Sequence, residues 1–123
     1  MEISEERHGD VLELRVKGTV NGHPPQLWHC VRGHLQTGER RLVVNLERVT
    51  WVSPLQGFGE LLISKNATHR VQGKMALVYT PPEGFCDGPS KPLLESLNTF
   101  DTLDEALAFV RGQGDGPGSA EPD

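Results

Sequence analysis

The stretch RRLVVNLERVTWV, residues 40–52, contains the run Leu42 to Leu46, which is apolar except for Asn45. A strand with no polar side to turn to water is the pattern of a central strand covered on both faces, not of an exposed edge. It demands a sheet with helices packed against it, and so constrains the fold more than any other segment.

The neighbouring segments supply those elements. VLELRVKG, residues 11–18, sets Val11, Leu12, Leu14 and Val16 in near alternation, which predicts a half-buried strand, and EISEER with its His-Gly-Asp turn reads as that strand's hairpin partner. In HPPQLWHCVRGHLQTG, Leu27, Val31 and Leu35 recur at helical spacing, with prolines at the start and Gly38 beyond the last turn. Leu55 to Val71 predicts a second helix and KMALVYT, residues 74–80, another buried strand. PPEGFCDGPSKP is turn chemistry throughout, and LLESLN is at most a short helix. In FDTLDEALAFV, Thr102 and Glu105 form a capping box ahead of a helix that buries Leu103, Leu107 and Val110. The Gly, Pro and acid-rich stretch 112–123 is expected to be a disordered tail behind one domain over 1–111.

Composition excludes several classes of function. The net charge of −5 over 123 residues offers no basic surface for nucleic acid. No apolar run approaches the length of a membrane span, and the acidic N-terminus lacks a hydrophobic signal core, so a cytoplasmic protein is expected. Cys30 and Cys86 read as reduced thiols, without CxxC spacing. His29 and His34 stand five apart, which turns them away from a shared ligand geometry, so no metal or other cofactor is expected. No P-loop, GxSxG or HExxH is present, and Asp10, Asp87 and Asp101 sit in turns without identifiable partners, so no catalytic residue is assigned and the chain reads as a non-enzyme.

Four stretches, LRVKGTVNG, RRLVVNLERVTWV, GFGELL and FDTLDEALAFV, together resemble a STAS domain, the fold of bacterial anti-sigma-factor antagonists and of the cytoplasmic tails of sulphate transporters. The resemblance spans residues 2–110. It implies an α/β fold, a STAS-like mixed β-sheet of about four to five strands covered by about four helices. It also implies a protein-docking module that, in well-known members, is switched by phosphorylation of a serine in a DSSG motif just before the second helix. The sequence departs from that motif. Aligning GFG on the family's GLG puts Leu55 and Gln56 at the serines; counting forward from VTWV puts Pro54 and Leu55 there, with Ser53 at the aspartate. Asn21 replaces the turn aspartate near the first helix.

Ser53 therefore has two readings. As a helix cap it accepts a hydrogen bond from the second or third amide of the turn, with Pro54 at N1 and Gln56 at the box position. As a phosphorylation site it would place a dianion at the positive end of a helix. Gly57 and Gly59 serve either partner approach or internal packing. Phe58 is either an exposed anchor or a core residue. Of Leu27 and Trp28, adjacent on one helix, one should sit at the edge of the core, whereas Trp51 is expected to pack. Asn21, Pro54, Leu55, Gln56, Gly57 and Phe58 make up the expected partner-binding set. The function expected from the resemblance is a regulatory protein-binding module without the usual serine switch, whose partner is an anti-sigma factor or related kinase-like protein. The alternative is a structural subunit of a membrane ABC transporter or signalling assembly.

Overall fold

In the computed structural model, which describes residues 1–23, 25–53, 55–79 and 97–112, the run Leu42 to Leu46 lies in the middle of the sheet and all five residues are buried. The elements follow in the order β1 (Glu2–His8), β2 (Val11–Val20), α1 (Gln26–Gln36), β3 (Arg41–Val52), α2 (Gln56–Arg70), β4 (Lys74–Val78), β5 (Thr99–Phe100) and α3 (Leu103–Val110). The five strands stand side by side in chain order. β1 pairs antiparallel with β2 through the hairpin at Gly9 and Asp10, and β2, β3, β4 and β5 pair in parallel. Parallel neighbours require crossovers, and α1 and α2 supply the two on either side of β3.

Each face of the sheet carries its own core. Leu14, Leu42, Val44, Leu46 and Leu77 meet Leu27 and Val31 of α1 and Phe58 and Leu61 of α2 on one face. Val11, Val43, Ala76 and Val78 meet Ala106, Leu107 and Val110 of α3 on the other. A fully buried Leu or Val side chain contributes about 1.5–3 kcal/mol relative to exposure, so both faces are needed to hold a chain of this size.

Several local expectations are met. The Thr102 hydroxyl caps α3 by accepting the Glu105 amide at 3.2 Å. α1 ends beside Gly38, whose positive φ of 104° suits the reversal out of a helix. Leu27 is buried while Trp28 packs at the core's edge.

Three expectations need correction. β2 is not half-buried at its start, since Val11, Leu12, Glu13 and Leu14 are all enclosed: helices cover both faces there and strands lie on both sides. Asp10 does have a partner, pairing from the hairpin turn with Arg41 at the start of β3. Trp51 is 52% exposed instead of packed. The two register shifts between β2 and β3 cancel in parity, so Trp51, opposite Thr19, stays on the face of Val43 and Asn45, at the far end of β3 from the cluster that α3 covers. The loop over 81–92 and the tail from 113 lie outside the described residues, as does the expected short helix apart from Leu97 and Asn98.

Val44 is wholly enclosed in an apolar cluster. Val44→Asp should abolish cooperative folding, because an unpaired carboxylate there loses its hydration without compensation. Far-UV circular dichroism with urea titration checks this, and a cooperative unfolding transition in the variant would contradict the placement of β3.

Candidate functional site at the start of the second helix

Parallel strands joined by crossovers bring the starts of α1 and α2 to one edge of the sheet, where β2 and β3 end. The turn after β2 is held by Asn21, whose Oδ1 accepts the His23 amide at 3.0 Å. Gly22 follows with φ of 77°, and a Cβ there would lie 2.5 Å from the Gln56 carbonyl oxygen. The first turn thus lies directly against the opening of α2, leaving no room for a side chain between them.

The joint between β3 and α2 is closed by Ser53. Its amide donates to the Val20 carbonyl at 2.9 Å, which ties the end of β3 to β2. Its Oγ accepts the Gly57 amide at 2.6 Å, and its carbonyl accepts the Phe58 amide at 3.2 Å. The next amide, that of Gly59, goes to the Leu55 carbonyl at 2.8 Å. Ser53 therefore satisfies amides of the first turn of α2, as a cap does. The geometry differs from the simple capping box: the helix starts at Gln56 with Leu55 at the N-cap, and the bond to Ser53 comes from the amide four residues on.

The two glycines separate. A Cβ on Gly57 would lie 2.3 Å from the Val20 carbonyl oxygen and 2.9 Å from Cγ1 of Val52, so this glycine lets α2 pack on its own sheet. A Cβ on Gly59 would meet no described atom within 4 Å, so packing gives that glycine no role. Phe58 is buried, with its ring edge-on to Tyr79 at 6.0 Å between centroids, so the exposed-anchor reading is corrected. What the junction presents to solvent is Asn21, Leu55, Gln56 and Trp51, with Leu55 75% exposed. Pro54 lies outside the described residues. Of the expected binding set, then, the fold gathers Asn21, Leu55, Gln56, Gly57 and Phe58 at one edge, with the last two beneath the surface. Trp51 joins them.

Glu60 is a residue that sequence reasoning missed. Only 3% exposed, it accepts the Trp28 amide on Oε2 at 2.8 Å and so serves the first turn of α1, whose own N-cap is Pro25 and makes no side-chain cap bond. Its Oε1 has no hydrogen-bond partner among the described residues. Burial pushes the Glu60 carboxyl up, opposed by the amides of Trp28 and Leu27 and by the nearby His29. The signal was present in the sequence as a need: a helix that opens on prolines must borrow its cap from elsewhere.

Ser53→Ala should lower stability by about 1 kcal/mol, as loss of a cap does. Gly57→Ala should cost about 1–3 kcal/mol by overpacking against backbone, whereas Gly59→Ala should stabilise by up to about 1 kcal/mol through helix propensity. Urea denaturation of the three variants checks the order, and a Gly57→Ala protein as stable as Gly59→Ala would contradict the close packing of α2.

For Glu60 the folded state holds the proton more tightly than the unfolded chain. Its contribution is therefore complete below the ordinary glutamate pKa and is lost as the pH rises through the raised folded value. Glu60→Gln keeps an oxygen acceptor for Trp28 and carries no charge. Its stability relative to wild type should improve from acid to neutral pH, as read from denaturation midpoints across that range; an unchanged difference would contradict the raised value.

The chain matches no protein-family model. No curated protein sequence matches it either. Solved structures do. A Thermotoga maritima protein described as an anti-sigma factor antagonist superposes with a TM-score of 0.74 at 22% identity, covering 89% of this chain and 94% of the other. An anti-sigma factor antagonist from Mycobacterium paratuberculosis gives 0.70 at 23%, with 89% and 93% covered. The Bacillus cell-fate determinant SpoIIAA in its phosphorylated form gives 0.63 at 19%, with 89% and 100% covered. With five strands in a mixed sheet and helices on both faces, the chain has the STAS-like fold shared by these anti-sigma factor antagonist structures.

Proposed function

We propose that the protein is a non-catalytic regulatory module that docks a protein partner in the manner of an anti-sigma-factor antagonist, in the cytoplasm and without the usual serine switch. The observation that carries this reading is the junction at the start of α2: Leu55 and Gln56 are exposed at a joint that Gly22 and Gly57 hold closed, and Trp51 is exposed at the end of β3 just before it. Two of the four exposed large apolar side chains among the described residues, Trp51 and Leu55, fall within this short segment, with Ile63 and Val71 further along α2 and at its end, and such a local concentration suits partner recognition. A charged, hydrogen-bonded catalytic constellation is not what this edge offers.

Ser53 acts chiefly as a cap in this reading. Its hydroxyl already holds the Gly57 amide at 2.6 Å, and neither alignment of the joint puts a hydroxyl at the position of the phosphorylated serine. Docking is then constitutive, and control lies with the partner or with the amount of protein.

The test is binding to a purified anti-sigma factor with kinase activity, measured by calorimetry with and without prior incubation with ATP. ATP should leave affinity unchanged and mass spectrometry should find no phosphate on Ser53. Trp51→Ala and Leu55→Ala should each weaken binding by more than about 1 kcal/mol, with stability changed by less than about 1 kcal/mol. Stoichiometric phosphate on Ser53 with loss of docking would overturn the switchless reading, and wild-type affinity in both surface variants would remove the junction as the docking face.

A further inference from the structure

Away from the junction, the side chains of Glu5, Cys30 and His34 converge between β1 and α1. A carboxylate oxygen, the thiol sulfur and an imidazole nitrogen all lie within 4.8 Å of one another. Cys30 and His34 are four residues apart on α1, so they project from one face of the helix, one turn apart. Glu5 reaches them from β1, and its Oε2 lies 2.8 Å from His34 Nε2. Cys30 packs at the rim of the core while Glu5 is exposed, so the cluster has a dry floor and an open mouth.

We propose that Glu5, Cys30 and His34 form a binding site for a thiophilic divalent metal ion, Zn²⁺ above all, with water as a fourth ligand. The donor set selects the ion. Sulfur with imidazole suits zinc and its first-row neighbours, whereas Ca²⁺ and Mg²⁺ require shells of oxygen. The size also fits. Bonds of about 2.3 Å to sulfur and 2.0–2.2 Å to nitrogen and oxygen place tetrahedral donors roughly 3.3–3.6 Å apart. The observed separations come within side-chain adjustment of that geometry, with the helix fixing two of the three ligands.

The competing state is weak. Without metal the carboxylate and imidazole make a solvent-facing contact, and such exposed pairs add little to stability. Opening it to admit an ion gives up little. Burial and the Glu5 carboxylate push the Cys30 thiol up, so the ion must also displace a proton from sulfur. Three protein ligands and an open position describe an exchangeable site, in contrast to a closed four-ligand structural centre. The expectation of no metal rests on the spacing of His29 and His34. It does not reach Cys30 with His34, whose third partner belongs to another element and is brought near only by folding.

The experiment is titration of the reduced, metal-free full chain with Co²⁺, followed by displacement with Zn²⁺. One equivalent should produce the near-ultraviolet sulfur-to-cobalt absorption and the visible bands of a tetrahedral site, and Zn²⁺ should abolish both. Cys86→Ser should retain them. Cys30→Ser should lose the sulfur band, and His34→Ala and Glu5→Gln should weaken binding on the order of tenfold or more. Glu5 is exposed, so Glu5→Gln keeps the test decisive if a helix variant fails to fold. The proposal is overturned if wild type gives no sulfur-to-cobalt band, if that band persists in Cys30→Ser or vanishes in Cys86→Ser, or if Glu5→Gln binds as tightly as wild type.

Discussion

The molecule depends on one constraint: residues 42–46 of β3 have no side that can face water. Enclosing them takes α1 and α2 on one face and α3 on the other, with β2 and β4 alongside. The crossovers needed to keep β2, β3 and β4 parallel then send both connecting helices across the same face, starting from the same sheet edge. The position of the junction at Asn21, Ser53 and Gln56 follows from that requirement before any of its chemistry is considered. Its tightness follows too, since two helix starts and two strand ends meet there, and the close approaches at Gly22 and Gly57 are where a side chain would not fit.

The elements legible in the sequence were those whose signal is local. Leu42 to Leu46 announces a buried strand, Leu27 and Val31 a helix face, and Thr102 with Glu105 a capped start. Trp51 escaped because alternation tells which face a residue turns to, not how far a helix covers that face: it lies on the side of Val43 and Asn45, past the cluster that α3 encloses. Phe58 could not be assigned because a ring at the start of a helix can turn either way until the sheet beneath it is in place. Ser53 was legible as a cap, but its actual donor, the Gly57 amide, depends on the curvature of the turn.

Two buried carboxylates escaped for a related reason, and they answer pH in opposite directions. Glu13 on β2 is fully enclosed and meets His8 Nε2 at 2.7 Å, Arg15 Nε at 3.0 Å and Asn45 Nδ2 at 2.9 Å. Burial pushes its carboxyl up, but the hydrogen bonds from Arg15, His8 and Asn45, with the charge of Arg15, outweigh that and hold it below the usual glutamate range. Its contribution is present above the ordinary glutamate pKa and fades as the pH falls through the lowered folded value. Glu60, held by backbone amides where Glu13 has a guanidinium, is shifted upward instead. The difference lies in partners, not in depth. Glu13 also marks where α3 stops covering the sheet: beyond it, a groove of about 680 Å³ opens along Ser4, Arg15, Lys17 and Glu47. The single polar residue of the central run, Asn45, belongs to this boundary.

At the junction, the residues that shape the surface and those that would be read by a partner are different residues. Gly22, Gly57 and Phe58 are set by packing, and changing them disturbs how α2 meets the sheet. The exposed side chains of the same segment are Trp51, Leu55 and Gln56, which add little to the cores. Under the proposed reading this separation lets partner choice drift through the exposed positions while the joint stays fixed. On the same reading, a chain without the phosphorylated serine need not have a looser helix start. The capping hydroxyl of Ser53 acts from the strand side of the turn, so the positions in which the two alignments would seat the switch can be Pro54, Leu55 and Gln56 without leaving the Gly57 amide unpaired.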